Sequence, residues 1–379
     1  MKIAFIYDTA FPWVTGGAER RIYEISTRLV NRGHDVHIFS LGFWMNTKEY
    51  SSKETIKYKG ITYHSVGKPM DLYTKNNTRS IREALYFARC ILTNAKLNDF
   101  DIVDCQGFPY FSCYASKLKN RKNLVITLHE VWNDYWYEYL GRLGIFGKIV
   151  EKGIFHLTRN FICVSQLTFE NMIQNKRPDN TTIIANGVNT EEITFIDPVR
   201  EYVDVLFIGR LIPEKHADLI INAISRVVNV HPRVKCKIIG NGPSEKYLKE
   251  LTSSLNLEDN VLFEDFYPDH EELYATMKST SALILPSKRE GFGIVVIEAN
   301  ACGVPVITLN HPMNAAKDLI NDDNGWLVND DSEELAELIC KIIEEGVSSE
   351  QRMACIRNAR DYDWNRIASL TEKFYMSVS

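Results

Sequence analysis

Short apolar runs bounded by turn residues alternate with segments of helical periodicity along the whole chain. "KIAFIYD" reads as a buried strand, and a glycine-containing loop follows it. In "AERRIYEISTRLVNRG" the apolar residues Ile22, Ile25, Leu29 and Val30 recur at helical spacing, and Gly33 marks the stop. "HDVHIFS", "GITYHSV", "DIVDC", "LVITLH" and "NFICVS" are further strand candidates. Strands separated by helices pair in parallel, so the pattern predicts an α/β architecture with helices on both faces of a parallel sheet.

The pattern restarts at residue 203. "VDVLFIGRL" is a strand ending in a glycine turn, and "KHADLIINAISRVVNVH" is its helix. "VKCKIIGNGP" repeats the strand and glycine turn, and "NVLFEDF", "SALILPS", "VPVITL" and "GWLV" follow as strands. Two doubly wound domains in tandem are predicted, at 1–196 and 197–360, joined through the charged stretch "NTEEITFIDPVREY". The last stretch, 361–379, contains the helical "NRIASLTEKFY" and is expected to cross back to the first domain.

Composition narrows the class. A chain of 379 residues is long for one core and fits about two domains. A net charge of −5 gives no nucleic-acid footprint. The eight cysteines are scattered without a CxxC pair and read as reduced, mostly buried thiols of a cytoplasmic protein. No apolar run approaches the roughly 18–20 residues a membrane span needs, and "MKIAFIYD" reads as a strand, not as a signal peptide.

Ligands of such sheets bind outside the carboxyl ends of the strands, so the loops just after strands carry the candidate chemistry. "SKREGFGIVVIEANACGVPVI" leaves the strand "SALILP" through Gly291 and Gly293, which allow close backbone approach, and continues as a helix from Ile294 to Cys302. The positive end of that helix suits a phosphate. Glu298 lies one turn into this apolar helix, where hydroxyl groups of a sugar would keep its carboxylate hydrogen-bonded. The alternative for it is an ion pair with a nearby cation. Glu290 lies in the loop. "GRLIPEK" places Arg210 and Lys215 after a strand, where they suit a diphosphate leaving group or, alternatively, form a solvated cluster with Glu214. Gly16 and Gly17 offer a second anion cradle, although a lone Gly-Gly more often marks a turn. Gly240 and Gly242 of "GNGP" line a nucleobase pocket or form a tight turn. His129 ends the strand "LVITLH". "DFD" at 99–101 reads as a turn before a strand, not as a metal-binding pair.

Assembled, these residues resemble the retaining glycosyltransferases of family 4. The E-x7-E signature stands at Glu290 and Glu298, and "GRLIPEK", "IIGNGP", "IIANGV", "GGAER" and "DNGWLV" follow the family's order. The resemblance spans nearly the whole chain. It implies the GT-B fold, two Rossmann-like doubly wound domains facing a central cleft. It also implies that Glu298 binds the ribose, that Glu290 contacts hydroxyls of the transferred sugar, and that backbone N–H groups of Phe292, Gly293 and Ile294 hold the sugar and distal phosphate. Arg210 and Lys215 would grip the diphosphate, Gly16 and Gly17 would close on it, His129 would lie near the anomeric carbon, and Asn186 and Gly187 would shape the cleft. Two positions depart from the family: His216 stands where glycine usually follows the lysine, and "NHPMNAAKDLI" lacks a common Gly-Gly.

The reaction implied is transfer of a sugar from a UDP- or GDP-sugar to an acceptor hydroxyl on a glycan, a lipid-linked glycan or a small molecule. It would proceed with retention, without a metal and without a cofactor. A GT-B-like nucleotide-sugar epimerase or phosphorylase is the alternative. A nicotinamide-dependent dehydrogenase lacks its glycine fingerprint, since "DTAFPWVTGGAER" does not fit. A catalytically silent binding protein is a further rival. The acceptor is assigned to the first domain, whose stretch 142–157 is basic and amphipathic. That stretch either contacts the inner face of a membrane peripherally or packs as a core-facing helix with a solvated basic side.

Overall fold

A computed structural model of the protein describes residues 1–74, 78–120, 122–176, 178–267 and 269–378. Two compact units emerge: Met1–Asn186 together with Trp364–Ser379, and Gly187–Asp363.

Among the described residues, the first unit holds one sheet of eight strands. They are β1 (Lys2–Ile6), β2 (Asp35–Leu41), β3 (Thr55–Tyr58), β4 (Ile61–Gly67), β5 (Ile102–Gln106), β6 (Leu124–Leu128), β7 (Asn160–Cys163) and β8 (Asn180–Ile183). Their order is β3-β4-β2-β1-β5-β6-β7-β8. The central strands β5 and β6 are buried at every position, β6 as the largely apolar LVITL and β5 with Asp104 and Gln106 enclosed among its apolar residues. Helices cover both faces. Ile22, Ile25, Leu29, Ile367 and Phe374 pack on one side, and Phe87, Ile91 and Cys113 on the other.

The expectation of an all-parallel sheet needs one correction, because β3 and β4 pair antiparallel. Their turn is Lys59–Gly60, both at positive φ (49° and 82°), the twist that a two-residue hairpin favours.

The division between the units also differs from the expected 196. It falls after Asn186 because the next residues are tied to the second unit. Val188 N–H donates to Tyr362 O (2.9 Å), Thr190 Oγ1 to Asp363 Oδ2 (2.8 Å), and Lys278 Nζ to Ile196 O (2.6 Å). Asp361–Asp363 stay with that unit as well, so the returning segment starts at Trp364. Helix Trp364–Val378 packs beside helix Gly17–Asn31, where Glu372 receives Arg32 (2.6 Å) and His34 (2.7 Å).

Among its described residues, the second unit holds β9 (Val203–Ile208), β10 (Cys236–Ile239), β11 (Val261–Glu264), β12 (Thr280–Leu285), β13 (Val306–Leu309) and β14 (Gly325–Val328). All its pairings are parallel, in the order β11-β10-β9-β12-β13-β14. This is the doubly wound order of dinucleotide-binding folds, and it reverses direction between β9 and β12. The first sheet reverses between β1 and β5. The loops that leave these strands at their carboxyl ends are the natural ligand edges. Among the described residues no helix is long and apolar enough to cross a membrane.

Candidate functional site

In the second unit the loop after β12 is held rigidly. Glu290 N–H donates to Met313 O (3.0 Å), and Glu290 O accepts from Ala315 N–H (2.9 Å). The neighbouring chain is anchored in turn by Asn314, which is fully buried and donates to Thr308 Oγ1 (3.0 Å) and Leu309 O (2.8 Å). Asn314 Oδ1 also caps Ala316 N–H (3.1 Å). The segment without the expected Gly-Gly is thus held by the Asn314 side chain.

Gly293 then turns the chain into helix Ile294–Ala301 at φ +94°, in the left-handed region. A Cβ there would stand 2.7 Å from Ala316 Cβ, so both backbone and space demand glycine. No acidic residue lies in the first turn of this helix. Its positive end therefore carries no charge of its own to oppose an incoming anion.

The structure joins two of the predicted residues directly, since Lys215 Nζ forms an ion pair with Glu290 Oε2. Ser287 Oγ donates to the same oxygen (3.4 Å). Glu298 is half-buried and accepts from Tyr274 Oη (3.0 Å), a partner that the sequence did not point to. Arg210 is exposed in the loop after β9, five residues before Lys215.

That loop is shaped by the glycines of "GNGP". A Cβ on Gly240 would overlap Gly209 O, and one on Gly242 would overlap Leu211 O. Their visible task is to let two backbones meet beside Arg210. His216 adopts φ 53°, ψ 39°, in the left-handed region that glycine enters without steric cost, which suits the glycine that the resemblance leads one to expect there. Its ring bonds Asp218 (Nδ1, 3.0 Å) and Asp330 (Nε2, 2.6 Å). Burial works against its charge, but these carboxylates outweigh it and raise its pKa. Asp330 also receives Lys288 Nζ (2.8 Å).

In the first unit His129 stands just past β6, half-buried. Its Nε2 is 2.8 Å from Gln106 Oε1. Gln106 is oriented by its own donor, Nε2, which bonds Asp104 Oδ1 (3.0 Å). The amide oxygen therefore faces the imidazole, Nε2 of His129 carries the hydrogen, and Nδ1 keeps its lone pair. Burial, followed by the charge of Arg21, lowers the His129 pKa to about 3, so the ring is neutral at physiological pH. Asp104 also receives Thr127 Oγ1 (2.8 Å) and Tyr375 Oη (2.5 Å). Its burial outweighs these donors and raises its pKa to about 6. Arg21, buried beside it, donates to Ala185 O (2.5 Å) and Asn186 Oδ1 (3.0 Å). Sequence reading named His129 and Asn186 but missed Gln106, Asp104, Arg21 and Tyr375, which hold them.

Gly16 precedes helix Gly17–Asn31, and the carboxylate of Glu19 lies against it. Glu19 receives Thr9 Oγ1 (2.7 Å), and burial raises its pKa. The turn at 99–101 is accounted for by Asp101, whose Oδ2 accepts Lys2 N–H (2.7 Å) at the start of β1. Among the described residues no group of three or more His, Cys, Asp or Glu side chains is placed to hold a metal ion. The core-facing alternative for 142–157 holds in part. Helix Gly144–Ile154 packs Val150 and Ile154 against the first unit's core but leaves Ile145, Phe146 and Ile149 exposed.

Comparison with known proteins agrees with this picture. A family profile described as Glycosyltransferase Family 4 matches residues 15–192, and one described as Glycosyl transferases group 1 matches 189–362. The phosphatidylinositol N-acetylglucosaminyltransferase chain of Arabidopsis thaliana is 24% identical over 387 residues, covering 99% of this chain and 81% of that protein. The gpi3 subunit of the Schizosaccharomyces pombe enzyme is 24% identical over 386 residues, covering 98% and 80%. Among solved structures, sucrose-phosphate synthase from Thermosynechococcus elongatus aligns with a TM-score of 0.80 at 19% identity, covering 99% of this chain and 98% of that one. HepE of Anabaena, solved with UDP and glucose, aligns with a TM-score of 0.74 at 21% identity over 100% of both chains. The shared fold is GT-B, with two Rossmann-like α/β domains.

Proposed function

We propose, for a chain that belongs to the family 4 glycosyltransferases, a metal-independent transfer of a sugar from a nucleoside-diphosphate donor to an acceptor hydroxyl, with retention of anomeric configuration. The observation that carries this reading is the loop after β12, which places the Lys215–Glu290 pair and a helix start free of acidic residues at the switch point of the second sheet. In this reading the second unit holds the donor. The positive end of helix Ile294–Ala301 takes the distal phosphate, Glu298 takes the ribose, and Glu290 takes hydroxyls of the transferred sugar. Lys215 and Arg210 stabilise the charge that develops on the leaving diphosphate. A neutral His129, with its Nδ1 lone pair available, accepts a hydrogen bond from the sugar. The bond from the anomeric carbon to the phosphate oxygen breaks on the face where the acceptor oxygen bonds, and the acceptor proton passes to the leaving phosphate.

The acceptor belongs to the first unit and is a hydroxyl on a glycan, a lipid-linked glycan or a small molecule. The names of the Arabidopsis and Schizosaccharomyces relatives speak for a lipid. The enzyme would work in the cytoplasm or peripherally at a membrane.

The test combines thermal-shift screening against UDP- and GDP-sugars with product analysis by NMR. The expected result is a donor-specific rise in melting temperature and an acceptor-dependent product of unchanged anomeric configuration, insensitive to EDTA. Epimerised or phosphorolysed sugar from donor without acceptor would instead establish the epimerase or phosphorylase alternative.

A further inference from the structure

The first unit contains a cavity of about 300 Å³ that neither the His129 network nor the donor loop uses. Its walls come from Ile81 and Ala84, from Phe108 and Tyr110 after β5, and from Trp136 and Val150 beyond β6. Most polar groups on its lining are engaged elsewhere, while the buried Arg79 Nε and Trp136 Nε1 make no hydrogen bond among the described residues. Tyr110 Oη donates to Glu151 (2.6 Å), Tyr139 Oη accepts the Arg79 N–H (2.7 Å), and the Arg79 guanidinium pairs with Asp8. A polar occupant would thus find few partners to replace its hydration, whereas a hydrocarbon needs none.

The mouth of the cavity is apolar as well. Ile81 is 54% exposed, and Leu143 and Phe146 are each 64% exposed. Ile149, at 59%, continues the same surface, and the exposed cations Arg142 and Lys152 lie on the same stretch of chain. Large side chains that are exposed next to an apolar hollow, with basic residues nearby, form a surface suited to an anionic amphiphile. The lining residues after β5 and β6 belong to the same carboxyl edge of the sheet as His129.

We infer that this cavity holds a hydrocarbon chain of the acceptor, which makes the acceptor a lipid. The assignment rests on the reading that the first unit binds the acceptor. A chain seated there leaves its head group on the strand edge that carries His129.

Binding is tested on the full chain, without donor, by calorimetric titration with hexyl, octyl and decyl glucoside below their micelle concentrations. Affinity is expected to rise about fourfold per methylene and then to level off as the cavity fills. In Val150→Phe, which narrows the cavity, the plateau should arrive at a shorter chain. Phe146→Asp places a charge at the mouth, where folding is not at stake, and should weaken decyl glucoside by about tenfold. No dependence on chain length would overturn the inference. So would an unchanged series in both variants, which would mean adsorption to the surface. Flotation with phosphatidylglycerol vesicles then separates lipid uptake from charge attraction, since Phe146→Asp should reduce it more than added salt does. Because these readouts need no turnover, an inactive chain that binds alkyl glucosides removes the transferase reading alone. An active chain indifferent to acceptor chain length removes this one alone.

Discussion

Helix Gly17–Asn31 and helix Ile294–Ala301 both follow a strand at a sheet's switch point, and both are entered through glycine, yet their positive ends are in opposite electrical conditions. At the first, Glu19 folds its carboxylate against Gly16 and receives Thr9, at 8% exposure. At the second, the opening turn is Ile294, Val295, Val296 and Ile297, with no acid. A helix start that carries its own carboxylate must neutralise or displace it before it holds a phosphate, and one without it need not. The same glycine signature therefore marks two different devices, and the proposed reading gives the donor's distal phosphate to the second.

The sharpest way to break this comparison is at Lys215 and Glu290. Lys215→Ala or Glu290→Ala should lower kcat by roughly 10²–10³ with donor saturating. A loss below about fivefold would return the loop to a structural role. Glu298→Ala is expected to raise the donor Kd about 10- to 100-fold, read by calorimetry, because it removes hydrogen bonds to a charged acceptor. Gln106→Leu should cost about tenfold in kcat/KM. It should also move the ¹⁵N shifts of His129 away from a pure Nε2–H tautomer, a change that a merely structural residue would not produce.

Smallest is Glu19→Gln, expected to change donor affinity by less than about threefold. A large gain would mean that this start also holds a phosphate once its carboxylate is neutralised, making the two helix starts equivalent. Stability sharpens the same point. Because burial raises the Glu19 pKa above its ordinary 4.5, the stability this group contributes is present below that pH and is lost as pH rises through the folded value. The glutamine variant should therefore melt at the higher temperature above pH 4.5, with the gap closing on acidification.

Much of this organisation was legible in the sequence where burial and backbone demanded particular residues. β6 and β12 are buried throughout and announced themselves as largely apolar runs. Gly293 and the apolar helix behind it marked the loop after β12 as a glycine turn into a helix. By contrast, β8 reads "NTTI" and is half-exposed at the sheet's edge, so it lacks the apolar signature of a buried strand. Strand β3 is short and carries alternating polar residues, which hid the hairpin. The His129 support could not be found by spacing, because Gln106, Asp104 and Tyr375 meet only through strand pairing and a helix far along the chain. Gly240 and Gly242 admit two readings in the sequence because close approach to backbone, which they make, leaves the same trace as close approach to a nucleotide.

The placement of helix Trp364–Val378 in the first unit bears on how the protein is made. Segment 187–363 is continuous, and on the ribosome it can complete its sheet as soon as it emerges. The first unit, although translated earlier, waits for Tyr375 before Asp104 gains its shortest hydrogen bond. Nascent chains should therefore expose the flank of helix Gly17–Asn31 until late in translation, making that surface the one on which a chaperone has the longest hold.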